Sequence, residues 1–149
     1  MTIINRVIVL CTGNICRSPM AAAVLQDALS QAQVPVAVSS AGLGALGGQK
    51  ADPIAIKLMA ERGLDINPHT GKQFTSSDGF ENDLILVMES EQKAAVENGW
   101  PLLHGRVYRL GHWGNFEVDD PYQRGEEAFR KALTTIDAGV VPWLEQITT

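Results

Sequence analysis

Four short apolar runs, at residues 7–10, 34–39, 84–88 and 107–110, are each followed by a stretch with helical signals. Runs of this length, rich in Val, Ile and Leu and ended by turn residues, read as buried strands. Ser18-Pro19 starts the first helix, an alanine-rich body reaching Leu29. Asp52-Pro53 opens a second through about Arg62, which Gly63 closes. Residues 89–98 read as a third, ending at Asn98-Gly99, and residues 125–145 as the last, with Pro142 expected to bend or fray its end. Strand and helix in such alternation bury both sheet faces only as an α/β fold, a parallel sheet with helices on each side. The 149 residues suit one domain over 1–149. Ligands of such sheets bind beyond the carboxyl ends of the strands. Three irregular segments leave those ends: residues 11–18, the glycine-rich residues 40–48 (expected to be mobile), and residues 111–122.

The first of these carries the densest chemistry. Cys11-Thr-Gly-Asn-Ile-Cys-Arg-Ser18 joins a strand to a helix start. Backbone N–H groups of such a loop converge on an anion, and the helix adds its positive end. The same field favours a thiolate, so Cys11 reads as a nucleophile rather than a packed core thiol. Arg17 can grip two phosphate oxygens side by side; as a mere surface residue it would sit badly beside a positive helix end. Ser18 reads both as an N-cap and as a hydroxyl able to donate to the thiolate. Cys16 is a small packed residue or the partner that traps an oxidised Cys11 as a disulfide. No further Cys or His pair completes a metal site, so no metal and no cofactor is expected.

Composition narrows the partners. A formal net charge of −5 with no basic stretch argues against nucleic-acid binding, although phosphate chemistry needs only one local positive site. The first residues lack the features of a secretion signal, and no apolar run approaches membrane-spanning length. Two cysteines, both in the loop, form no disulfide framework and suit the cytoplasm.

A leaving group also needs a proton. Asp119-Asp120-Pro121-Tyr122 lies on the third irregular segment, where Pro121 stiffens the presentation of Asp120. The competing reading is an acidic turn before the last helix, and charge alone does not separate Asp119 from Asp120. His69, His104 and His112 read as surface or structural residues.

The loop from Cys11 to Pro19, together with Asp120-Pro121-Tyr122, resembles the low-molecular-weight protein tyrosine phosphatases. Ser39-Ser-Ala-Gly42, Asp52-Pro53 and His69 follow in that family's order, so the likeness runs nearly end to end. The resemblance implies three layers with a four-stranded parallel sheet, and a two-step reaction through a cysteinyl phosphate. It implies Cys11 as nucleophile, Arg17 as phosphate clamp and Asp120 as general acid, then base. Thr12, Gly13, Asn14, Ile15, Cys16, Arg17 and Ser18 would form the phosphate-binding loop, with Asn14 in a left-handed conformation. Asn14, Ser18, Ser40 and His69 would support it, and Tyr122, Leu43 and Leu46 would wall the substrate. Residues 40–46 and Leu110-Gly-His-Trp113 look like the bacterial branch, whose members are encoded beside tyrosine autokinases governing capsular polysaccharide and exopolysaccharide export. The implied partner is therefore a phosphotyrosine protein, the tail of such an autokinase. Two positions depart from the pattern: Gln123 stands where many relatives carry a second aromatic, and Gly71-Lys72-Gln73 where many read Ala-Arg-Gln.

Three other activities fit the loop. A thioredoxin-linked arsenate reductase needs a further cysteine pair, which this chain lacks. A protein arginine phosphatase typically carries threonine at the position of Ile15, whose flat apolar contact suits a phenyl ring instead. A non-catalytic phosphocarrier would store phosphate on cysteine and have no use for Asp120.

Overall fold

Alternation inside the strands sets up a sheet with two buried faces. A computed structural model describes residues 3–148; Met1, Thr2 and Thr149, the ends of the expected domain, lie outside the described residues. Strands β1 (Arg6–Cys11), β2 (Ala37–Gly42), β3 (Leu84–Val87) and β4 (Val107–Arg109) form one parallel sheet in the order β2-β1-β3-β4. Val7, Val9 and Cys11 of β1 turn to one face with Leu84, Leu86 and Met88, while Ile8 and Leu10 turn to the other with Ile85 and Val87. A one-residue slip would exchange the two sets, so the core pins the register, in which Cys11 pairs with Gly42.

Helices α1 (Arg17–Gln31), α2 (Pro53–Glu61) and α5 (Glu126–Thr148) cover the first face through Met20, Leu25, Leu58, Met59, Phe129 and Ile136. Val96 of α4 (Ser90–Gly99) covers the second together with Phe74 and Leu103. The three-layer arrangement and the four parallel strands are those the resemblance implied. β1 lies where the crossovers change direction: α1 leads outward to β2, and the chain then returns to β3 on the other side. The crevice at such a switch point is where this fold class binds ligands, and the loop after β1 occupies it. No helix among the described residues is long and apolar enough to cross a membrane.

Several elements differ from their sequence reading. The second strand begins at Ala37, not Val34, because Pro35 has no N–H for the ladder and Val34 bonds back to the carbonyl of Leu29 at 2.9 Å. Helix α1 begins at Arg17 with Cys16 at the cap position and no side-chain cap, so Ser18 is not an N-cap; its hydroxyl is taken by Cys11 and Asn14. A short α3 (Ser76–Glu81) was not anticipated, although Thr75 and Asp78 form its reciprocal capping box. Helix α5 runs through Pro142 to Thr148 because its buried stripe continues beyond the proline to Trp143 and Ile147. Trp143 Nε1 also donates to Leu110 O at 3.0 Å, and Gly139 lets the helix approach: a Cβ there would lie 2.9 Å from Leu110 Cγ.

The glycine-rich segment expected to be mobile is tied to the phosphate loop. The N–H groups of Leu43, Gly44 and Leu46 donate to the carbonyls of Cys11, Thr12 and Gly13 at 3.0, 2.9 and 3.2 Å. Gly42 is required for this approach, since a Cβ there would fall 2.6 Å from Thr12 O.

Candidate active site

The carboxyl end of β1 delivers Cys11 to the floor of a pocket of about 200 Å³. Thr12, Gly13, Ile15, Cys16 and Arg17 line it from the loop, Gly44 and Leu46 from the glycine-rich segment, and Asp120 and Tyr122 from the opposite rim. Cys11 is 2% exposed, so only its reacting face is open. Among the described residues, the backbone N–H groups of Gly13, Ile15, Cys16, Arg17 and Ser18 are given to no protein acceptor. These are donors a loop leading into a helix leaves free for an anion.

A chain of assigned donors surrounds the thiol. Asn14 stands at φ +60°, the left-handed conformation the resemblance implied, and its Oδ1 accepts from Lys72 N at 3.0 Å. Its amide nitrogen must then donate, and it does so to Ser18 Oγ at 2.8 Å and Ser40 Oγ at 3.0 Å. Ser18 Oγ, receiving that proton, has its own left for Cys11 Sγ at 2.9 Å. Asn14 N–H adds a second donor at 3.3 Å. Both bonds present donors to the sulfur. His69 Nε2 lies 2.6 Å from Asn14 O and holds the turn from behind. Ser18 and Asn14 thus sit under the pocket rather than on its surface, both fully buried.

Among the described residues, Arg17 is the largest fully buried side chain. Nη1 donates to Glu89 Oε2 at 2.7 Å and to Val118 O at 2.8 Å. Both protons of Nη1 are spent, which leaves the Nε–Nη2 edge, the fork that matches two phosphate oxygens. Arg17 is the buried member of this pair and Glu89 is 34% exposed, so loss of Glu89 would strand the buried guanidinium, which Glu89 both fixes and neutralises. Sequence reading missed Glu89. The available signal was its place directly after the third apolar run, at the same carboxyl edge as the other loops.

Asp120 is half exposed and its Oδ2 lies 3.8 Å from Arg17 Nη2. Its Oδ1 accepts from Tyr122 N at 3.1 Å, an Asx turn that aims the carboxyl across the pocket. The loop carrying it is anchored where fully buried Val118 donates from N to Met88 O at 3.1 Å. Glu117 adds a bond from Ser90 N at 2.6 Å, which holds its carboxyl below the usual range. Asp119 lies outside the pocket, on a neighbouring groove with Arg124 and Lys131.

One expectation needs adjustment. Leu43 does not wall the pocket; it packs against the second core cluster, and Leu46 with Tyr122 provides the apolar rim. The departure at residues 71–73 leaves the support intact, because Lys72 reaches Asn14 with its backbone N–H. Gln73 bridges Leu43 O and Ala45 N at 2.8 and 3.0 Å. His104 and His112 lie away from the site, beside Glu97 and in an aromatic group with Tyr108, Trp113 and Trp143.

Cys16 is buried, and burial pushes its thiol well above the usual range, with Asp52, Cys11 and Asp120 adding to the effect and Arg17 opposing it. It therefore stays protonated. Mild peroxide is expected to convert Cys11 to a sulfenic acid that condenses with Cys16, releasing water and leaving a disulfide reversible by thiols. Mass spectrometry tests this: loss of two hydrogens is the expected change, whereas sulfinic acid alone would exclude Cys16 as the trap.

A model of the family described as low molecular weight phosphotyrosine protein phosphatase matches residues 6–149. The chain is 46% identical over 144 residues to the probable low molecular weight protein-tyrosine-phosphatase EpsP of Ralstonia solanacearum, covering 97% of each. It is similar to the crystal structure of the tyrosine phosphatase Wzb from Escherichia coli K30 in complex with sulphate, with a TM-score of 0.90 and 34% identity over 97% of this chain and 99% of that one. The crystal structure of a YwlE mutant from Bacillus subtilis has a TM-score of 0.91 at 25% identity, over 97% of this chain and 99% of that one.

Proposed function

This chain belongs to the low molecular weight phosphotyrosine protein phosphatase family, and from that premise we propose how its residues divide the reaction and which protein it serves. It is a protein-tyrosine phosphatase, a phosphoric monoester hydrolase of the family with EpsP-like and Wzb-like members. The observation that carries the division of roles is the placement of Cys11 Sγ, under two donated hydrogen bonds, in one pocket with Arg17 and Asp120.

In the first step Cys11 thiolate attacks phosphorus in line. The bond from phosphorus to the tyrosine oxygen breaks, and protonated Asp120 gives its proton to that oxygen. The Nε–Nη2 edge of Arg17 and the free N–H groups of the loop hold the three equatorial oxygens, where charge builds. In the second step Asp120, now a carboxylate, takes a proton from water as the water attacks the cysteinyl phosphate. Inorganic phosphate leaves, and the Ser18 hydroxyl stabilises the departing thiolate. Ile15, Leu46 and Tyr122 offer apolar surface for the ring. They favour an aryl ester over the guanidinium of phosphoarginine, although the fold is shared with more distant relatives such as YwlE.

The protein substrate proposed is the phosphotyrosine tail of a bacterial tyrosine autokinase in polysaccharide export. The resemblance to the bacterial branch and the 46% identity to EpsP support it. Steady-state kinetics on phosphotyrosine, phosphoserine and phosphoarginine, and on arsenate with thioredoxin, test the reading. Continuous turnover of phosphotyrosine is expected, with kcat/KM at least about a hundredfold above the others, the scale of a site that rejects the wrong leaving group. A single burst without turnover would instead mark a phosphocarrier. Release of phosphate from a purified, tail-phosphorylated autokinase tests the partner.

A further inference from the structure

Gln92 is a buried polar side chain that the chemistry above leaves unused. It is 6% exposed, at the third position of α4. Its Oε1 accepts from Met88 N at 2.9 Å and Glu89 N at 3.0 Å, which fixes the amide orientation. The nitrogen must therefore donate, and Nε2 lies 3.2 Å from Thr12 Oγ1, a residue 80 positions away that follows the nucleophile and lines the pocket. Because the Thr12 oxygen receives that proton, its own hydroxyl proton cannot point back at Gln92. No described residue accepts it.

Gln92 caps α4 from its third position: its side chain accepts from Glu89 N–H at 3.0 Å, while Gln92 N donates to Glu89 O at 3.1 Å. Glu89 also holds Arg17. One helix cap thus grips the phosphate loop at both ends, at Thr12 and at Arg17. Capping does not require the amide, since glutamate serves equally at this position. A carboxylate, however, has no proton to give Thr12.

We propose that Gln92 is a positioning residue of the phosphate loop, and that its bond to Thr12 presents the Thr12 hydroxyl as a hydrogen-bond donor to an oxygen of the bound phosphoester. The proposal rests on the reading of residues 11–18 as the phosphate loop. It makes Thr12 a contact for substrate and Gln92 the group that sets its direction.

A double-mutant cycle of Thr12→Val and Gln92→Glu tests it, read by kcat and KM on para-nitrophenyl phosphate, the inhibition constant of inorganic phosphate, and the melting temperature. Thr12→Val keeps the volume and removes the hydroxyl. Gln92→Glu keeps the cap, removes the donor and lets a carboxylate draw the Thr12 proton away from the pocket. Each is expected to raise KM and the phosphate inhibition constant about fivefold, roughly what one hydrogen bond supplies, with a smaller change in kcat. The double variant should be no worse than the poorer single one. The charge added by glutamate appears in both backgrounds and drops out of the coupling. Thr12→Ser, which restores the oxygen, should recover most of the loss seen with valine. Additive effects, or a lowered melting temperature with unchanged phosphate inhibition, would reduce Gln92 to a helix cap and overturn the proposal. Should Gln92→Glu fail to fold, Thr12→Val decides alone, and an inhibition constant within about twofold of the parent refutes it. A parent protein that neither turns over the ester nor is inhibited by phosphate would refute the phosphatase reading itself.

Discussion

Cys11→Ser is expected to lower kcat by on the order of ten-thousandfold or more while leaving the affinity for inorganic phosphate close to the parent's. The geometry supplies the reason. Both partners of the sulfur, the Ser18 hydroxyl and Asn14 N–H, are donors. They stabilise an anion, but neither can take a proton from a serine hydroxyl, and an alcohol does not ionise at neutral pH. Asp120, the carboxylate among the residues lining the pocket, is proposed to be occupied with the leaving group. The anion-holding parts remain in the variant: the free loop N–H groups and the Nε–Nη2 edge of Arg17. Stopped turnover on an aryl phosphate, with phosphate binding intact by calorimetry, is the outcome that fits. Turnover near the parent's would remove Cys11 as nucleophile, and joint loss of binding and turnover would make it a structural residue.

The second large effect belongs to Asp120→Ala. Phosphoenzyme formation from phosphotyrosine or phenyl phosphate should slow by about a hundredfold or more, the usual cost of losing a general acid. The loss should be much smaller on para-nitrophenyl phosphate, whose phenolate departs without a proton. Asp119→Ala is the contrast, because Asp119 lies outside the pocket and should change either rate little. Equal losses from Asp120→Ala on good and poor leaving groups would reject the acid assignment. Equal losses from the two aspartate variants would show that the acidic segment acts as a whole.

The nucleophile, the arginine and the loop between them were legible because they are contiguous. Eight residues between a strand and a helix carry the thiol, the turn and the cation, and their local geometry follows from backbone rules. Asp120 was legible through its neighbours: Pro121 marked a stiffened turn, and the resemblance separated it from Asp119, which charge did not. Ser18 shows where local reading fails. A serine before a proline at a helix start has the signature of a cap, yet Asn14 and Cys11 claim the hydroxyl and the helix begins one residue earlier. The second strand was misplaced for a similar reason. Valine alternation suggested residues 34–39, but the neighbouring strand's hydrogen bonds chose Ala37–Gly42.

Sequence alone determined the parallel α/β architecture and the chemistry of residues 11–18, since both depend on periodicities and spacings within one stretch of chain. Beside Ser40 and His69, which the resemblance implied, tertiary structure alone decided which further groups hold that loop in working shape. Glu89 reaches Arg17 across 72 positions, Lys72 reaches Asn14 across 58, and Gln92 reaches Thr12 across 80. In the linear chain Gln92 signals a helix start and nothing more, and Glu89 adds only its place at the end of the third apolar run. Only when β3 lies beside β1 does that helix start arrive at the phosphate loop, where desolvation makes each remaining hydrogen bond count.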